Sequence, residues 1–173
     1  AAVTPGVVRL EIGEPDVNTP PHIVEAADRA ARDGHTHYSP NAGIPALREA
    51  LTEKLRSVNA VTADPAEIIV TNGAVSAIFS TLAAILTAGD EVLVPDPGWP
   101  NYRMMVTLLG GRAVAYPVPR EGAAADLEAL AARTSPRTRA IILNSPSNPT
   151  GGLIDPVTQR ELHEFAERHD LWI

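Results

Sequence analysis

The sequence predicts an α/β fold, with a mostly parallel sheet and helices on both of its faces. Short apolar runs alternate with longer amphipathic runs at least three times, which is the pattern of strand–helix–strand units. Connections between parallel strands are right-handed, and they place helices on both faces of one sheet. Hydrophobic residues make up 45% of the 173 residues, which is enough for a domain with a buried core.

The individual elements follow from the spacing of apolar residues. Runs of three or four aliphatic residues bounded by turn residues are typical of buried strands, and apolar residues spaced three and four apart are typical of helices. In chain order, the predicted strands span 68–70, 92–94, 113–116 and 140–143, and the predicted helices span 21–32, 46–58, 74–86, 99–109, 126–132 and 156–169. The pattern also contains an extended segment at 7–12, a turn at 39–43 and the start of a further strand at 171–173.

The alternation does not extend over the first part of the chain. We therefore predict that residues 1–40 belong to a smaller domain or an arm, and that residues 41–173 form a larger domain that contains the sheet. The apolar run at 171–173 looks like a buried strand cut short. We therefore expect the larger domain to be incomplete and the chain to be a fragment.

The loop after the predicted strand 140–143 is a candidate ligand site. Pro146 and Pro149 fix φ and withdraw two backbone donors, and Asn144 and Asn148 add side-chain amides. Open α/β sheets bind ligands beyond the carboxyl ends of their strands, which is where this loop is expected to lie. The alternative is an ordinary turn in which both amides cap backbone groups.

A second candidate site is the turn that contains Gly73, where a predicted strand leads directly into a helix. The first N–H groups of a helix are unpaired and carry about half a positive charge, so they bind a phosphate without a basic side chain. Ala74 and Val75 would donate these N–H groups. The alternative is an ordinary helix start in which Thr71 or Asn72 caps the helix.

Five motifs, taken together and in order, resemble those of the class I/II aminotransferases, which are fold-type I enzymes that use pyridoxal phosphate. The resemblance covers nearly the whole chain. The motifs are Gly13-Glu14-Pro15-Asp16, Tyr38 with Gly43 and Leu47-Arg48, the turn at 71–74, the aromatic loop at 96–102 and the Asn/Pro loop at 144–151.

The resemblance implies that the cofactor is pyridoxal 5'-phosphate and assigns residues to it. Gly73, Ala74 and Val75 would hold the phosphate, although the family often has a hydroxyl residue at the position of Val75. Asn148 would donate a hydrogen bond to the phenolate oxygen of the cofactor and so favour its ionised form. Asn144 is expected to be structural.

The resemblance also assigns roles to three residues outside these two loops. Trp99, in a proline-braced loop, would stack on the pyridine ring of the cofactor. From the residues alone, packing in the core or at a subunit contact is an alternative for Trp99. Tyr38 would reach the cofactor phosphate of the neighbouring subunit, so a homodimer is the expected assembly, and the backbone at Gly13 would meet the substrate carboxylate.

The family needs a lysine that holds the cofactor as a Schiff base, and the only lysine in this chain is Lys54. Lys54 falls on the polar face of the predicted helix 46–58, where its ammonium group would be solvated. In the family the Schiff-base lysine comes well after the loop that matches 144–151. We therefore assign no catalytic residue in this chain and expect the chain alone to be inactive.

The expected reaction of the full-length protein is the transfer of an amino group between an amino acid and a 2-oxo acid. Carbon–sulfur lyases and decarboxylases of the same fold share these motifs and are alternatives. A cofactor-sensing regulatory module fused to a DNA-binding domain and a non-catalytic fragment also fit the sequence, because fold alone does not choose among functions. The motifs do not specify the amino acid.

Composition argues against several other functions. The net charge is −7 and no basic run occurs, which argues against nucleic acid or an anionic membrane as a partner. The absence of cysteine excludes disulfides and thiolate metal sites. His35 and His37 would share one side of a strand, but no third ligand stands out nearby, so no metal site is predicted. Without a spanning apolar run or a signal-type N-terminus, we expect a soluble cytoplasmic protein.

The position of Lys54 yields a first prediction. Incubation of the chain with pyridoxal 5'-phosphate, reduction with borohydride and peptide mapping should give no stoichiometric adduct, because the one lysine is solvated on a helix surface. A stoichiometric, site-specific adduct at Lys54 would contradict the prediction.

Overall fold

The computed structural model describes residues 13, 15–118 and 126–173, so the predicted extended segment at 7–12 lies outside the described residues. The helices are α1 (Pro21–Arg32), α2 (Pro45–Asn59), α3 (Gly73–Ile85), α4 (Pro100–Leu108), α5 (Leu127–Ala131) and α6 (Pro156–Arg168). The strands are β1 (Glu91–Asp96), β2 (Arg112–Pro117) and β3 (Thr138–Ile141). A short 3-10 turn spans Pro65–Glu67.

The three strands form a parallel sheet with the order β2-β1-β3, so β1 is the central strand. In the predicted further strand at 171–173, Trp172 pairs with β3 along the edge that does not face β1. Trp172 N donates to Arg139 O at 2.9 Å, and Ile141 N donates to Trp172 O at 2.8 Å. This pairing is also parallel. The structure therefore confirms the predicted α/β fold with a parallel sheet.

Helices cover both faces of the sheet because successive residues of β1 point to opposite sides. Val92 and Val94 pack in one cluster with residues of α3 and α4. Leu93 packs in a second cluster with residues of α5 and α6. Val92 and Leu93 are fully buried, and Val94 is 2% exposed, so β1 is covered on both faces.

The helix boundaries agree with the sequence prediction to within one or two residues, because the boundary signals are local. Asp126 and Asp155 accept hydrogen bonds from the first backbone N–H groups of α5 and α6, respectively. A proline occupies the first turn of α1, α2, α4 and α6, where a missing N–H costs no helical hydrogen bond.

Two strand predictions need correction. Residues 68–70 do not form a strand: Val70 N donates to Ala42 O at 3.0 Å, and Ile69 is 70% exposed. A strand requires a neighbouring strand for its hydrogen bonds, and none pairs with this segment among the described residues. β3 ends at Ile141, earlier than predicted, and Leu143 is half-buried rather than fully buried.

The amphipathic pattern of α1 does not lead to burial in the described part of the chain. Ile23 is 50% exposed and Val24 is 54% exposed, and no residue of α1 or α2 is buried. The division of the chain at residues 40 and 41 stays a prediction.

A buried carboxylate connects all three strands at their amino-terminal ends. Glu91 is 3% exposed and accepts hydrogen bonds from the guanidinium of Arg112 on β2, from Ser135 Oγ at 2.8 Å and from Thr138 Oγ1 at 3.4 Å. Burial by itself would raise the pKa of Glu91, but the hydrogen bonds from Arg112, Ser135 and Thr138 outweigh burial and lower the pKa below its ordinary value of 4.5.

Glu91→Gln should therefore destabilise the protein in a pH-dependent way. At pH 7 we expect the free energy of unfolding to fall by about 2–3 kcal/mol, at the low end for a buried pair because Arg112 is largely exposed. A carboxylate with a lowered pKa stabilises the fold fully above pH 4.5, and this contribution is lost as the pH falls through the lowered value. The difference in the free energy of unfolding between variant and wild type, measured by urea unfolding, should therefore shrink as the pH falls below 4.5.

The control for this experiment is Glu53→Gln, which removes one member of the exposed pair between Glu53 and Arg56 on α2. Exposed pairs contribute about 0–1 kcal/mol, so this variant should unfold almost like the wild type. Equal destabilisation by the two variants would refute the role of Glu91.

Candidate functional site

The carboxyl ends of β1 and β3 mark the point at which the chain departs toward opposite faces of the sheet. β1 and β3 are neighbours and run parallel, but the chain leaves β1 for α4 on one face of the sheet and leaves β3 for α6 on the other face. Open α/β sheets bind ligands at such a point. The loop after β1 carries Trp99, and the loop after β3 carries Asn148.

The loop at 144–152 is held together by its own hydrogen bonds. Asn144 Oδ1 accepts from Asn148 N at 2.7 Å, Ser147 N donates to Gly152 O at 2.8 Å, and Gly151 N donates to Ser147 O at 2.7 Å. The side-chain oxygen of Asn144 is thus engaged inside the loop, which agrees with a structural role. Asn148 is exposed, and its side-chain amide makes no hydrogen bond within the described part of the chain. The alternative of two capping amides therefore describes Asn144 and not Asn148.

Trp99 is half-buried at the start of α4 and contacts the core on one side. Its ring meets the ring of Tyr102 edge-on, with centroids 5.4 Å apart and planes at 83°. Trp99 also packs against the cluster that contains Val92 and Val94. Core packing, the alternative considered for Trp99, thus accounts for part of the ring.

Gly98 is a site residue that sequence analysis missed. A Cβ at Gly98 would overlap Pro95 O and lie 2.9 Å from Pro95 Cγ, so a side chain would push the backbone that presents Trp99. The Pro97-Gly98 dipeptide is a turn signal, and it is the feature of the sequence from which this constraint could have been found.

Gly73, the first residue of α3, donates its N–H to Thr71 O at 2.8 Å, and the N–H groups of the next two residues have no partner in the described part of the chain. Gly73 has φ +78°, and Thr71 Oγ1 donates to Gly73 O at 3.0 Å. Neither Thr71 nor Asn72 caps the helix through its side chain, so the capping alternative is wrong. Ala74 N and Val75 N have no acceptor among the residues that the structure covers. Of the helices in that part of the chain, only α3 begins with neither a side-chain cap nor a proline.

Val75 is 45% exposed and offers no side-chain donor. The hydroxyl of Ser76 does not replace one in this geometry, because Ser76 Oγ donates to Asn72 O at 3.2 Å. A phosphate at this turn would therefore depend on backbone N–H groups and on the dipole of α3.

A cavity of about 540 Å³ lies between the turn at 71–74 and the turn that follows Tyr38. None of the described residues that line it carries a charged side chain. Tyr38 is fully exposed, and its neighbour Ser39 lines the cavity. The lining residues are Ser39, Pro40, Asn41, Gly43, Ile44, Leu47, Val70, Thr71, Asn72 and Ser76.

The two sides of this cavity are joined by a close backbone contact. Val70 N donates to Ala42 O at 3.0 Å. Gly43 has φ +98°, and a Cβ there would lie 2.6 Å from Val70 Cγ2. Arg48 on α2 donates to Pro65 O, which links α2 to the segment that leads into the turn at 71–74. The glycine of the Tyr38–Arg48 motif is thus required where the chain approaches Val70.

Two residues singled out in the sequence do not join these groups. Gly13 is exposed, and apart from its chain neighbours no described atom lies within 4 Å of a Cβ placed there. Lys54 is exposed on α2, as predicted, and Lys54 Nζ donates to Asn59 Oδ1 at 2.6 Å.

Neither a metal cluster nor a membrane span emerges from the part of the chain that the structure describes. No three His, Cys, Asp or Glu side chains gather there in a way that could hold a metal ion. None of the helices there has the length and apolar character needed to cross a membrane.

Comparison with known proteins decides the family. The family model for aminotransferase class I and II matches residues 5–173. The chain belongs to this family. The match confirms the resemblance seen in the five motifs and covers both candidate loops.

The chain is similar to aminotransferases with different named substrates. The aspartate/prephenate aminotransferase of Thermus thermophilus is 45% identical over 168 residues, which are 96% of this chain and 44% of that protein. Aromatic-amino-acid aminotransferase 2 of Thermococcus litoralis is 42% identical over 170 residues, 97% of this chain and 44% of that protein. The crystal structure of an aromatic aminotransferase from Pyrococcus horikoshii matches with a TM-score of 0.89 and 43% identity, covering 92% of this chain and 43% of that one. The chain spans less than half the length of these relatives.

The contact at Gly43 yields a prediction with a matched control. Gly34 also has a positive φ, +87°, but a Cβ there would meet no atom within 4 Å. Gly34→Ala should therefore cost only the backbone strain, about 1 kcal/mol. Gly43→Ala adds a clash with Val70 and should cost about 1–3 kcal/mol more.

Amide exchange of Val70, whose N–H donates to Ala42 O, reports on this contact directly. Exchange should accelerate in Gly43→Ala and stay unchanged in Gly34→Ala. Unchanged Val70 exchange in Gly43→Ala would show that the contact between Gly43 and Val70 does not hold the turn at 71–74 in place.

Proposed function

We propose that this chain forms part of the cofactor site of an aminotransferase, which transfers an amino group between an amino acid and a 2-oxo acid with pyridoxal 5'-phosphate. The observation that carries the proposal is made at the start of α3. Ala74 N and Val75 N donate no hydrogen bond to any described acceptor. An exposed helix start of this kind suits a phosphate group.

The residues present fit the phosphate in shape. Apart from its chain neighbours and the backbone of α3, no described atom lies within 4 Å of a Cβ placed at Gly73, so there is open space beside this turn. The dipole of α3 contributes about half a positive charge there. Since none of the described residues that line the adjacent cavity is charged, directed backbone donors carry the binding within this chain.

Asn148 and Trp99 would hold the ring of the cofactor. The side-chain amide of Asn148 donates to the phenolate oxygen and favours its ionised form. The part of the Trp99 ring that does not contact the core stacks on the pyridine ring. When bound, the cofactor withdraws electrons from the substrate α-carbon.

Substrate and partner follow from the same proposal. The backbone at Gly13 meets the substrate carboxylate. Tyr38, which is fully exposed, reaches the phosphate site of a second copy in a homodimer. The only lysine of this chain, Lys54, lies exposed on α2. We therefore expect the Schiff-base lysine in a part of the protein that corresponds to the portion of the relatives outside the match. A cytoplasmic location stays a prediction.

Amino transfer is favoured over the alternatives by the relatives described above, which are all named aminotransferases. These relatives do not favour the carbon–sulfur lyase, decarboxylase and regulatory alternatives. The amino acid is left open, because the relatives are named for aspartate and prephenate in one case and for aromatic amino acids in others.

The proposal predicts distinct effects for the two ring contacts in the full-length protein. Asn148→Ala should weaken cofactor binding about tenfold or more, because a hydrogen bond to a charged group is worth about 1.5–3 kcal/mol. It should also shift the pH titration of the cofactor's absorbance upward by about one unit. Trp99→Ala should weaken binding with a smaller effect on the titration.

Asn59→Ala is the matched control, because Asn59 is an exposed asparagine at the end of α2 whose partner is Lys54. This variant should leave both affinity and titration unchanged. An unaltered titration in Asn148→Ala would remove the role assigned to Asn148.

A further inference from the structure

We propose that Tyr116 is a positioning residue for the cofactor site: by holding the carbonyl group of Ile142, its hydroxyl fixes the root of the loop that presents Asn148. The inference rests on the proposed function of Asn148. It concerns a residue on β2, a strand that contributes no residue to the site described above.

The hydrogen bond runs across the sheet. Tyr116 lies near the carboxyl end of β2 and is 3% exposed. Its hydroxyl donates to Ile142 O at 2.8 Å, although β1 lies between β2 and β3. Ile142 N donates to Leu93 O at 2.9 Å, so the residue is held through its N–H by β1 and through its C=O by β2.

Among the described residues, Ile142 is the last one before the loop to have its backbone hydrogen-bonded to the sheet, while the side chain of Leu143 still packs against the cluster that contains Leu93. In the described part of the chain, the backbone N–H groups of Leu143 and Asn144 donate no hydrogen bond to a strand. Two residues after Ile142, Asn144 Oδ1 accepts from Asn148 N. The root and the proposed cofactor donor are therefore separated by one short, internally closed loop.

Because the loop is closed by its own hydrogen bonds, it is expected to move as a unit. Ser145 Oγ accepts from Ile154 N at 2.9 Å, and Ser147 pairs with Gly151 and Gly152. The placement of Asn148 relative to the sheet is then set at Ile142. Loss of one of the two hydrogen bonds there would loosen the whole loop.

The environment keeps Tyr116 a donor. Burial raises the pKa of the Tyr116 hydroxyl far above its ordinary value of 10.0, and the nearby Tyr102 adds to the increase. The hydroxyl therefore stays protonated throughout the pH range in which the absorbance titration is measured. The bond to Ile142 O does not change during that titration.

Tyr116→Phe tests the proposal, because it keeps the ring that packs against Leu93, Leu130 and Phe165 and removes only the hydroxyl. The first measurement is amide exchange in the chain without cofactor. We expect exchange at Ile142, whose N–H donates to Leu93 O, to accelerate about fivefold, the effect of losing one hydrogen bond at the same residue.

The second measurement uses the full-length holoenzyme and the pH titration of its absorbance. Tyr116→Phe should shift the titration upward, in the direction expected for Asn148→Ala. If Tyr116 acts through Asn148, the double variant should titrate like Asn148→Ala alone. An additive shift in the double variant would overturn the proposal.

Thr134→Val is the matched control, since Thr134 Oγ1 also donates to a backbone carbonyl, that of Leu130, at 2.9 Å. It should reduce stability about as much as Tyr116→Phe while leaving Ile142 exchange and the titration unchanged. Equal effects of both variants on Ile142 exchange would reduce Tyr116 to a structural residue and refute the inference. If Asn148→Ala itself leaves the titration unchanged, the proposed function fails, and amide exchange still decides whether Tyr116 holds the loop.

Discussion

The burial of β1 on both faces and along both edges is the constraint on which the rest of the structure depends. Val92 and Leu93 are fully buried, yet they belong to different clusters because their side chains point to opposite faces. One strand therefore fixes both helical layers. The loops that follow β1 and β3, which carry Trp99 and Asn148, therefore leave the sheet toward opposite faces, and open α/β sheets bind ligands at such a point.

Features that depend on neighbours in sequence could be predicted, and those that depend on distant partners could not. α1 begins and ends at the predicted residues because a proline at its start and Gly34 after its end are local signals. Residues 68–70 have the composition of a strand, but a strand forms only where a second strand pairs with it. The aliphatic run Ile68–Val70 carries no information on whether such a partner is present.

The candidate site divides in the same way. The loop-internal hydrogen bond of Asn144 and the turn at Gly73 were predictable, because each involves residues within a few positions of one another, whereas the role of Asn148 stays a prediction. Tyr116 gave no signal of its bond to Ile142, which lies 26 residues away, since an aromatic residue in a strand is ordinarily core. The bond depends on the order of the strands, which places β2 within reach of Ile142 across β1.

The cavity beside α3 shows how these levels would combine in the proposed cofactor site. A phosphate ester carries about 1.5 to 2 negative charges, which exceeds what one helix dipole offsets. None of the described residues that line the cavity is charged, so within this chain the proposed site relies on the direction of the Ala74 and Val75 N–H groups. That direction depends on Val70, which is held by Ala42 and lies close to Gly43. The turn at 39–43, which contributes no charge, would therefore act on the proposed phosphate site through geometry.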